Sequence, residues 1–413
     1  MLVWLVHIGE LLPVDRPFRP FRYTWLAESL VRAGHRVVRW APTFAHALKR
    51  QRYESDARVE VEPGYALELL YVRGYRRHVG IGRMRFNVQL AHRLWRRVRQ
   101  HDKPSLIVAA IPAPEVAWVA GEYGRVHGVP VVVDIRDLWP DLLLQAISAR
   151  YRRVMQPTLF PWRCLNRRTL RHARGIVAVS QSYLDWGLRQ AGRDAGPMDR
   201  VFPIGHPSPE PVRSPDAAES SPLAAAGVDP RHLVCCFAGQ FEQSYDLETV
   251  IEAARRLWDA GVRDIQFVLC GHGGKAEALQ ARARGVGSVV FPGWVGPSEL
   301  AAVMRQAQVG LACYAAGALQ SVPNKVAEYL SAGLAVVSSL RGEFQSMLAE
   351  GSFGVDYTPG DAAMLASVLV SLRDHPERLG ELQRNAERFF TRRFRVSVIY
   401  PEMVRYLEAV GGA

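Results

Sequence analysis

Short runs of β-branched and other apolar residues alternate along the whole chain with stretches whose apolar positions recur every three to four residues. That alternation predicts parallel βαβ units: a strand buried on both faces reads as a continuous apolar run, and the helix covering it as one apolar stripe. Strands are expected at 2–7, 36–40, 105–109, 129–134 and 175–179, then at 233–238, 265–270, 289–291, 309–312 and 335–338. Between the two sets, 203–222 carries Pro203, Pro207, Pro209, Pro211, Pro215 and Pro222 without a strand pattern, which marks a linker. The 413 residues therefore divide into two α/β halves of five strands each, Rossmann-like and doubly wound. Ligands of such sheets bind at the carboxyl ends of strands, so two sheets facing across a cleft take one substrate from each side.

The segment 321–333, Ser-Val-Pro-Asn-Lys-Val-Ala-Glu-Tyr-Leu-Ser-Ala-Gly, is the most informative stretch. Pro323 suits a first helical turn and Gly333 the left-handed position just past a helix end. Lys325 and Glu328, three apart, then share one helical face. The start of such a helix favours an anion through its N–H groups and dipole, and Lys325 adds a full charge. One turn on, Glu328 can accept hydrogen bonds from the vicinal hydroxyls of a ribose. Phosphate and ribose together describe a nucleotide; a surface helix with an ion pair fits the same residues.

Charge separates the halves. Residues 1–200 hold 33 Lys and Arg against 17 acids, and the remainder 19 against 23, so the net +12 comes from the first half. The arginines cluster, as at Arg93, Arg96, Arg97 and Arg99 and at Arg167, Arg168, Arg171 and Arg174. Such a field attracts nucleic acid, an anionic membrane surface or a pyrophosphate-bearing substrate. The basic residues are spread over several helices and loops without a nucleic-acid module, so nucleic acid is not expected as the partner. The opening apolar run stops at His7 and reads as a strand rather than a signal peptide, and no apolar run approaches the roughly 18 to 20 residues of a membrane span. Cys164, Cys235, Cys236, Cys270 and Cys313 show no C-x2-C spacing and suit small core residues of a reducing compartment. No His, Asp and Glu cluster has metal-ligand spacing.

Three strand ends carry chemistry. Asp134-Ile135-Arg136-Asp137-Leu138-Trp139-Pro140-Asp141 puts charge at the end of a buried strand, where it needs partners or a ligand. Arg136 and Asp137 are candidates there, a structural ion pair being the alternative. In Phe237-Ala238-Gly239-Gln240, Gly239 lets the backbone approach a ligand. Cys270-Gly271-His272-Gly273-Gly274 is a glycine-rich turn after a strand.

Read in order, the second half resembles the nucleotide-binding domain of the retaining glycosyltransferases of family 4, which have the GT-B architecture. Phe237-Ala238-Gly239 matches the first phosphate loop, and Val268 to Gly273 the second strand with its Gly-x-Gly. Val290 to Val295 matches the base-proximal loop, and Pro323 through Glu328 to Gly333 the sugar-phosphate and ribose helix. Leu30, Ala33, Gly34, His35 and Val37 look like the family's first helix end and following strand. Asp134 to Asp141 looks like the variant of O-antigen and capsule amino-sugar transferases, and 389–410 like the final helix that returns to the first domain. The expected bounds are 1–204, 205–388 and 389–413. Two departures stand out: Gln320 occupies the first position of the family's Glu-x7-Glu pair, and Gln240 and Tyr245 stand where an Arg and a Lys commonly follow the phosphate-loop glycine.

The resemblance implies a retaining, metal-independent transfer of a sugar from a nucleoside diphosphate sugar to an acceptor hydroxyl, glycan or lipid-linked, with no separate cofactor. Gly239, Gln240, Gly271, Asn324 and Lys325 would hold the diphosphate, Glu328 the ribose, and Trp294 and Val295 the base. Lys325, Arg136 and Asp137 would serve the reaction, Lys325 by meeting the charge that grows on the leaving group. A lipid-pyrophosphate acceptor would explain the basic first half and place a cytoplasmic protein at the inner membrane face. A sugar-nucleotide epimerase or hydrolase is the alternative on this fold.

Overall fold

The computed structural model describes residues 1–76, 80–144, 149–208, 227–318 and 320–412. The chain forms two compact units, Met1–Gly205 with Ile399–Ala413, and His206–Val398. The linker expected at 203–222 lies outside the described residues from 209 onward.

The first unit carries β1 (Leu2–Val6), β2 (Arg36–Pro42), a small antiparallel pair β3 (Phe44–Ala45) and β4 (Arg50–Gln51), β5 (Ala57–Glu62), β6 (Tyr65–Leu70), β7 (Leu106–Ile111), β8 (Val131–Ile135), β9 (Gly175–Ala178) and β10 (Arg200–Val201). Its main sheet runs β10-β9-β8-β7-β1-β2-β6-β5, parallel except for the β5–β6 edge. The helices are α1 (Arg22–Arg32), α2 (Ile81–Arg97), α3 (Pro114–His127), α4 (Ala149–Met155), α5 (Phe160–His172) and α6 (Gln181–Ala191). The second unit carries β11 (Leu233–Ala238), β12 (Ile265–Cys270), β13 (Val289–Gly293), β14 (Val309–Ala312), β15 (Ala335–Ser338) and β16 (Gly354–Asp356), ordered β13-β12-β11-β14-β15-β16. Every pairing there is parallel.

All ten expected strands are present, and among the described residues the count of five per half is corrected to ten in the first unit, eight of them in its main sheet, and six in the second. The additional strands of the two main sheets lie toward their edges. β5 alternates half-buried and exposed residues and pairs antiparallel with β6 across a turn at Gly64, so it lacks the uninterrupted apolar run of a central strand. β10 and β16 have only two and three residues, too few for any period.

Central strands bury both faces. In β7, Leu106 to Ile111 are all buried, covered on one side by α3, whose Pro114 sits in its first turn and whose Gly128 closes it in the left-handed conformation. In the second unit Asp246 caps the Leu247–Asp259 helix by accepting from the Thr249 N–H at 3.2 Å. The Val396–Gly411 helix spans the boundary between the units: residues from Ile399 group with the first, whereas 389–398 group with the second. Its hold on the first unit includes Tyr406, whose hydroxyl donates to the Met198 carbonyl at 2.7 Å.

Candidate active site

The parallel winding of the second sheet brings the carboxyl ends of β11, β12 and β13 together. Gly239 N donates to the Cys270 carbonyl at 3.0 Å, and Gly271 N to the Gly293 carbonyl at 2.8 Å. The crossing is too tight for side chains: a Cβ on Gly271 would lie 1.9 Å from the Gly239 carbonyl oxygen, and φ there is +156°. Gln240 is exposed just beyond Gly239. Trp294, 74% exposed, and half-buried Val295 follow Gly293 at the end of β13.

The helix read from 321–333 spans Asn324–Ser331. Pro323 precedes it as the N-cap rather than entering the first turn, because its backbone is extended there at ψ 139°. Gly333 is left-handed at φ +70°, as expected past the helix end. Tyr329 locks the helix to the sheet: its hydroxyl accepts from Ala238 N and donates to the Leu311 carbonyl, both at 3.2 Å. Gly310 leaves room for that ring, since a Cβ there would come within 2.4 Å of it.

Docked this way, the helix turns Lys325 into the sheet rather than along its own surface. Lys325 is 7% exposed, and its Nζ lies 3.6 Å from the centre of the Phe237 ring, 3.8 Å from Tyr245 and 5.9 Å from Tyr314. A Cβ on Gly239 would lie 3.1 Å from the same Nζ. The amine has no hydrogen-bond partner. Burial pushes its pKa down to about 7, with Cys313, Glu328 and Cys236 pulling it partly back. The alternative reading of the segment, a surface ion pair between Lys325 and Glu328, is not what the structure has: Lys325 sits in an aromatic box, and the Glu328 carboxylate lies 4.0 Å from His206 Nε2. Asn324 is exposed at the helix start. Gln320 points a buried Oε1 that lacks a hydrogen-bond partner.

Tyr245 is the residue whose role composition hid. It reads as a lost cation, yet it forms a wall of the box, ring to ring with Phe237 at 5.2 Å and Tyr314 at 5.0 Å. The aromatic residues Phe237, Tyr245 and Tyr314 sit in different elements, so only the fold assembles them.

In the first unit, Arg136 follows β8 directly. Its Nη1 donates to Glu10 and, at 3.0 Å, to His7 Nε2, and its guanidinium lies over the Phe21 and Tyr23 rings at 5.3 and 5.6 Å. Glu10 also pairs with Arg39 at 3.1 Å and accepts from Tyr23 N at 3.0 Å. Burial, reinforced by Arg136, Arg39 and Arg22, holds the His7 imidazole well below its ordinary pKa and keeps it neutral. Since Nε2 accepts from Arg136, the ring proton belongs on Nδ1, which is buried without a partner. Asp137 is half-buried; burial raises its pKa although Leu138 N donates to it at 2.9 Å. Asp134 is structural: fully buried, it takes both arms of Arg22 at 2.8 and 3.0 Å, and Arg22 also ties down the Phe202 and Pro203 carbonyls. His7, Glu10 and Arg39 carry no motif in the sequence: His7 and Glu10 follow β1, Arg39 lies in β2, and only the fold brings them to Arg136.

The residues nominated for a nucleotide, Gly239, Gln240, Gly271, Trp294, Val295, Asn324, Lys325 and Glu328, thus occupy one end of the second sheet. Arg136 and Asp137 belong to the first unit. Residues 24–203 match the pattern of Glycosyltransferase Family 4, and residues 232–375 that of Glycosyl transferases group 1. A phosphatidyl-myo-inositol mannosyltransferase of Mycolicibacterium smegmatis is 25% identical over 395 residues, covering 94% of this chain and 89% of that protein. The Mycobacterium leprae protein of the same name is 28% identical over 262 residues, 62% of this chain and 63% of its own. Among solved structures, Anabaena HepE in complex with UDP aligns with a TM-score of 0.66 at 14% identity over 99% of both chains. Sucrose-phosphate synthase of Thermosynechococcus elongatus aligns at 0.71 and 17% over both full lengths.

Proposed function

The chain belongs to family 4 of the retaining glycosyltransferases and has the GT-B fold, transferring sugar from a nucleotide-sugar donor; from there we propose that Lys325 is its diphosphate anchor. One observation carries this reading: a buried amine without a hydrogen-bond partner, held in an aromatic box beside the phosphate-loop glycine. A buried polar group left unmade costs free energy, and a diphosphate oxygen in the space beside Gly239 satisfies it. The N-terminal amides of the Asn324–Ser331 helix add their dipole, and Glu328 is placed one turn on for the ribose. Trp294 and Val295 flank the base, and Gln240 and Gly271 border the phosphates.

As the sugar leaves, negative charge accumulates on the diphosphate. Lys325 lowers that barrier because its charge and position are set before reaction. Gln320 Oε1 is an acceptor for a donor-sugar hydroxyl, in place of a carboxylate. Arg136, held by His7 and Glu10, and Asp137 orient the acceptor in this reading.

The acceptor we propose is a lipid-linked polyol, taken up by a protein resting on the membrane surface. The inositol-lipid mannosyltransferases among the relatives and the basic first half both support it. Those relatives move the choice away from the amino-sugar transferases that the 134–141 segment suggested. Family membership likewise leaves the epimerase and hydrolase alternative without support. Among the described residues, no helix is long and apolar enough to cross a membrane.

A thermal-shift screen against UDP, GDP, dTDP and ADP, with wild type, Lys325→Ala and Glu328→Ala, tests the donor site. Stabilisation by one nucleotide that both substitutions abolish is expected. Undiminished stabilisation of Lys325→Ala would remove the anchor.

A further inference from the structure

We propose that α4 and the start of α5 form a membrane-docking element that inserts apolar side chains into an anionic bilayer. This rests on the lipid-acceptor reading above and adds to it the surface that reaches the lipid.

Arg150 through Phe160 is exposed at every residue except Leu159. Exposure alone is ordinary for polar residues, but here Val154 is 71% and Phe160 66% exposed, with Tyr151 and Met155 beside them. No acidic residue occurs between Asp141 and Asp185, whereas Arg150, Arg152, Arg153, Arg167 and Arg171 fall in that span. Arg150, Arg153 and Arg171 make no ion pair among the described residues. Exposed apolar side chains in a span rich in arginine, whose own residues include no acid, match the interface of an anionic bilayer, where acyl chains take the former and headgroup phosphates the latter. Nucleic acid would satisfy the arginines and leave Val154 and Met155 without a role.

The element is tied to the candidate acceptor residues. Asn166 of α5 donates to the Trp139 carbonyl at 2.8 Å, and Arg163 pairs with Asp141 at 2.6 Å. Both partners lie in the segment that begins with Arg136 and Asp137. Docking through Val154 and Phe160 therefore fixes the end of β8 relative to the lipid surface.

Cys164, the exposed one of five free cysteines, provides a native reporter on the same helix start. The full-length protein carrying a polarity-sensitive fluorophore at Cys164 is mixed with phosphatidylcholine vesicles with and without phosphatidylglycerol. A blue shift and co-flotation only with the anionic vesicles are expected. Val154→Asp/Phe160→Asp should lose both, while keeping the nucleotide thermal shift that reports an intact fold. Arg150→Gln/Arg153→Gln should bind about thirtyfold more weakly, at ~1 kcal/mol for each charge. Vesicle binding by Val154→Asp/Phe160→Asp equal to wild type overturns the element. So does a dimer in light scattering that this variant dissolves, or a fluorophore response to RNA at physiological salt that exceeds the response to vesicles. If wild type docks as described but glycosylates no lipid, the acceptor reading fails and the element stands. If the aspartate variant glycosylates vesicle lipid as fast as wild type, the element fails and the acceptor reading stands.

Discussion

The Lys325 amine lies 3.8 Å from the centre of the ring of Tyr245, a position where the sequence resemblance implied a cation. An aromatic ring stands there instead, and it shelters the amine carried by the Asn324–Ser331 helix.

That shelter makes donor binding sensitive to pH. With its pKa near 7 in the free protein, Lys325 is largely neutral above that value, and a bound diphosphate returns it toward the ordinary lysine range. Binding then takes up a proton. Nucleoside diphosphate affinity should fall by up to about tenfold per pH unit above about pH 7. Calorimetry in buffers of different ionisation enthalpy measures the uptake directly; zero uptake near pH 8 contradicts the assignment.

Lys325 also shapes stability without ligand. Its folded pKa lies below the unfolded value of 10.5, so the unfolded chain binds more proton between about 7 and 10.5, and this group favours the folded state increasingly as pH rises through that window. Lys325→Met should flatten this part of the profile in urea titrations. An identical slope in the variant would mean that another group causes it.

Tyr245→Phe keeps the ring and should leave donor affinity within about twofold. Tyr245→Leu removes the cation–π contact, worth about 1–2 kcal/mol when desolvated, and should weaken nucleotide binding by roughly five- to thirtyfold. Equal affinities for the two variants would show that the ring face does not matter.

Gly271→Ala should destabilise the second unit by several kcal/mol, because its Cβ would overlap the Gly239 carbonyl 1.9 Å away and the backbone cannot yield without moving both loops. Thermal denaturation gives the shift; a melting point unchanged within a degree or so would count against so tight a crossing.

Arg22 and Arg136 both stand in the buried charge cluster of the first unit and should behave differently. Arg22→Met strands Asp134 in the core and should cost about 3–5 kcal/mol of stability. Arg136→Met should slow transfer by roughly a hundredfold or more while the nucleotide thermal shift persists. Normal transfer rates in Arg136→Met would return that residue to a structural role.

Much of this was written locally. Parallel βαβ winding follows from unbroken apolar runs such as 106–111 and 233–237, and the Asn324–Ser331 helix from the signals at its ends, because apolar patterning and helix start and stop preferences are properties of adjacent residues. Edge strands such as β5 were illegible, since half-exposed residues resemble any alternating loop.

Read alone, the chain specifies two α/β halves, a helix bearing Lys325 and Glu328 on one face, and a basic first half. Tertiary structure decided what those residues face. A phosphate-facing cation and half of a surface ion pair both fit Lys325 until Tyr329 docks its helix on β11 and β14, bringing Phe237, Tyr245 and Tyr314 around the amine. Spacing along one helix specifies which side chains share a face; which face is buried depends on packing against strands distant in the chain, and that burial sets the charge of Lys325.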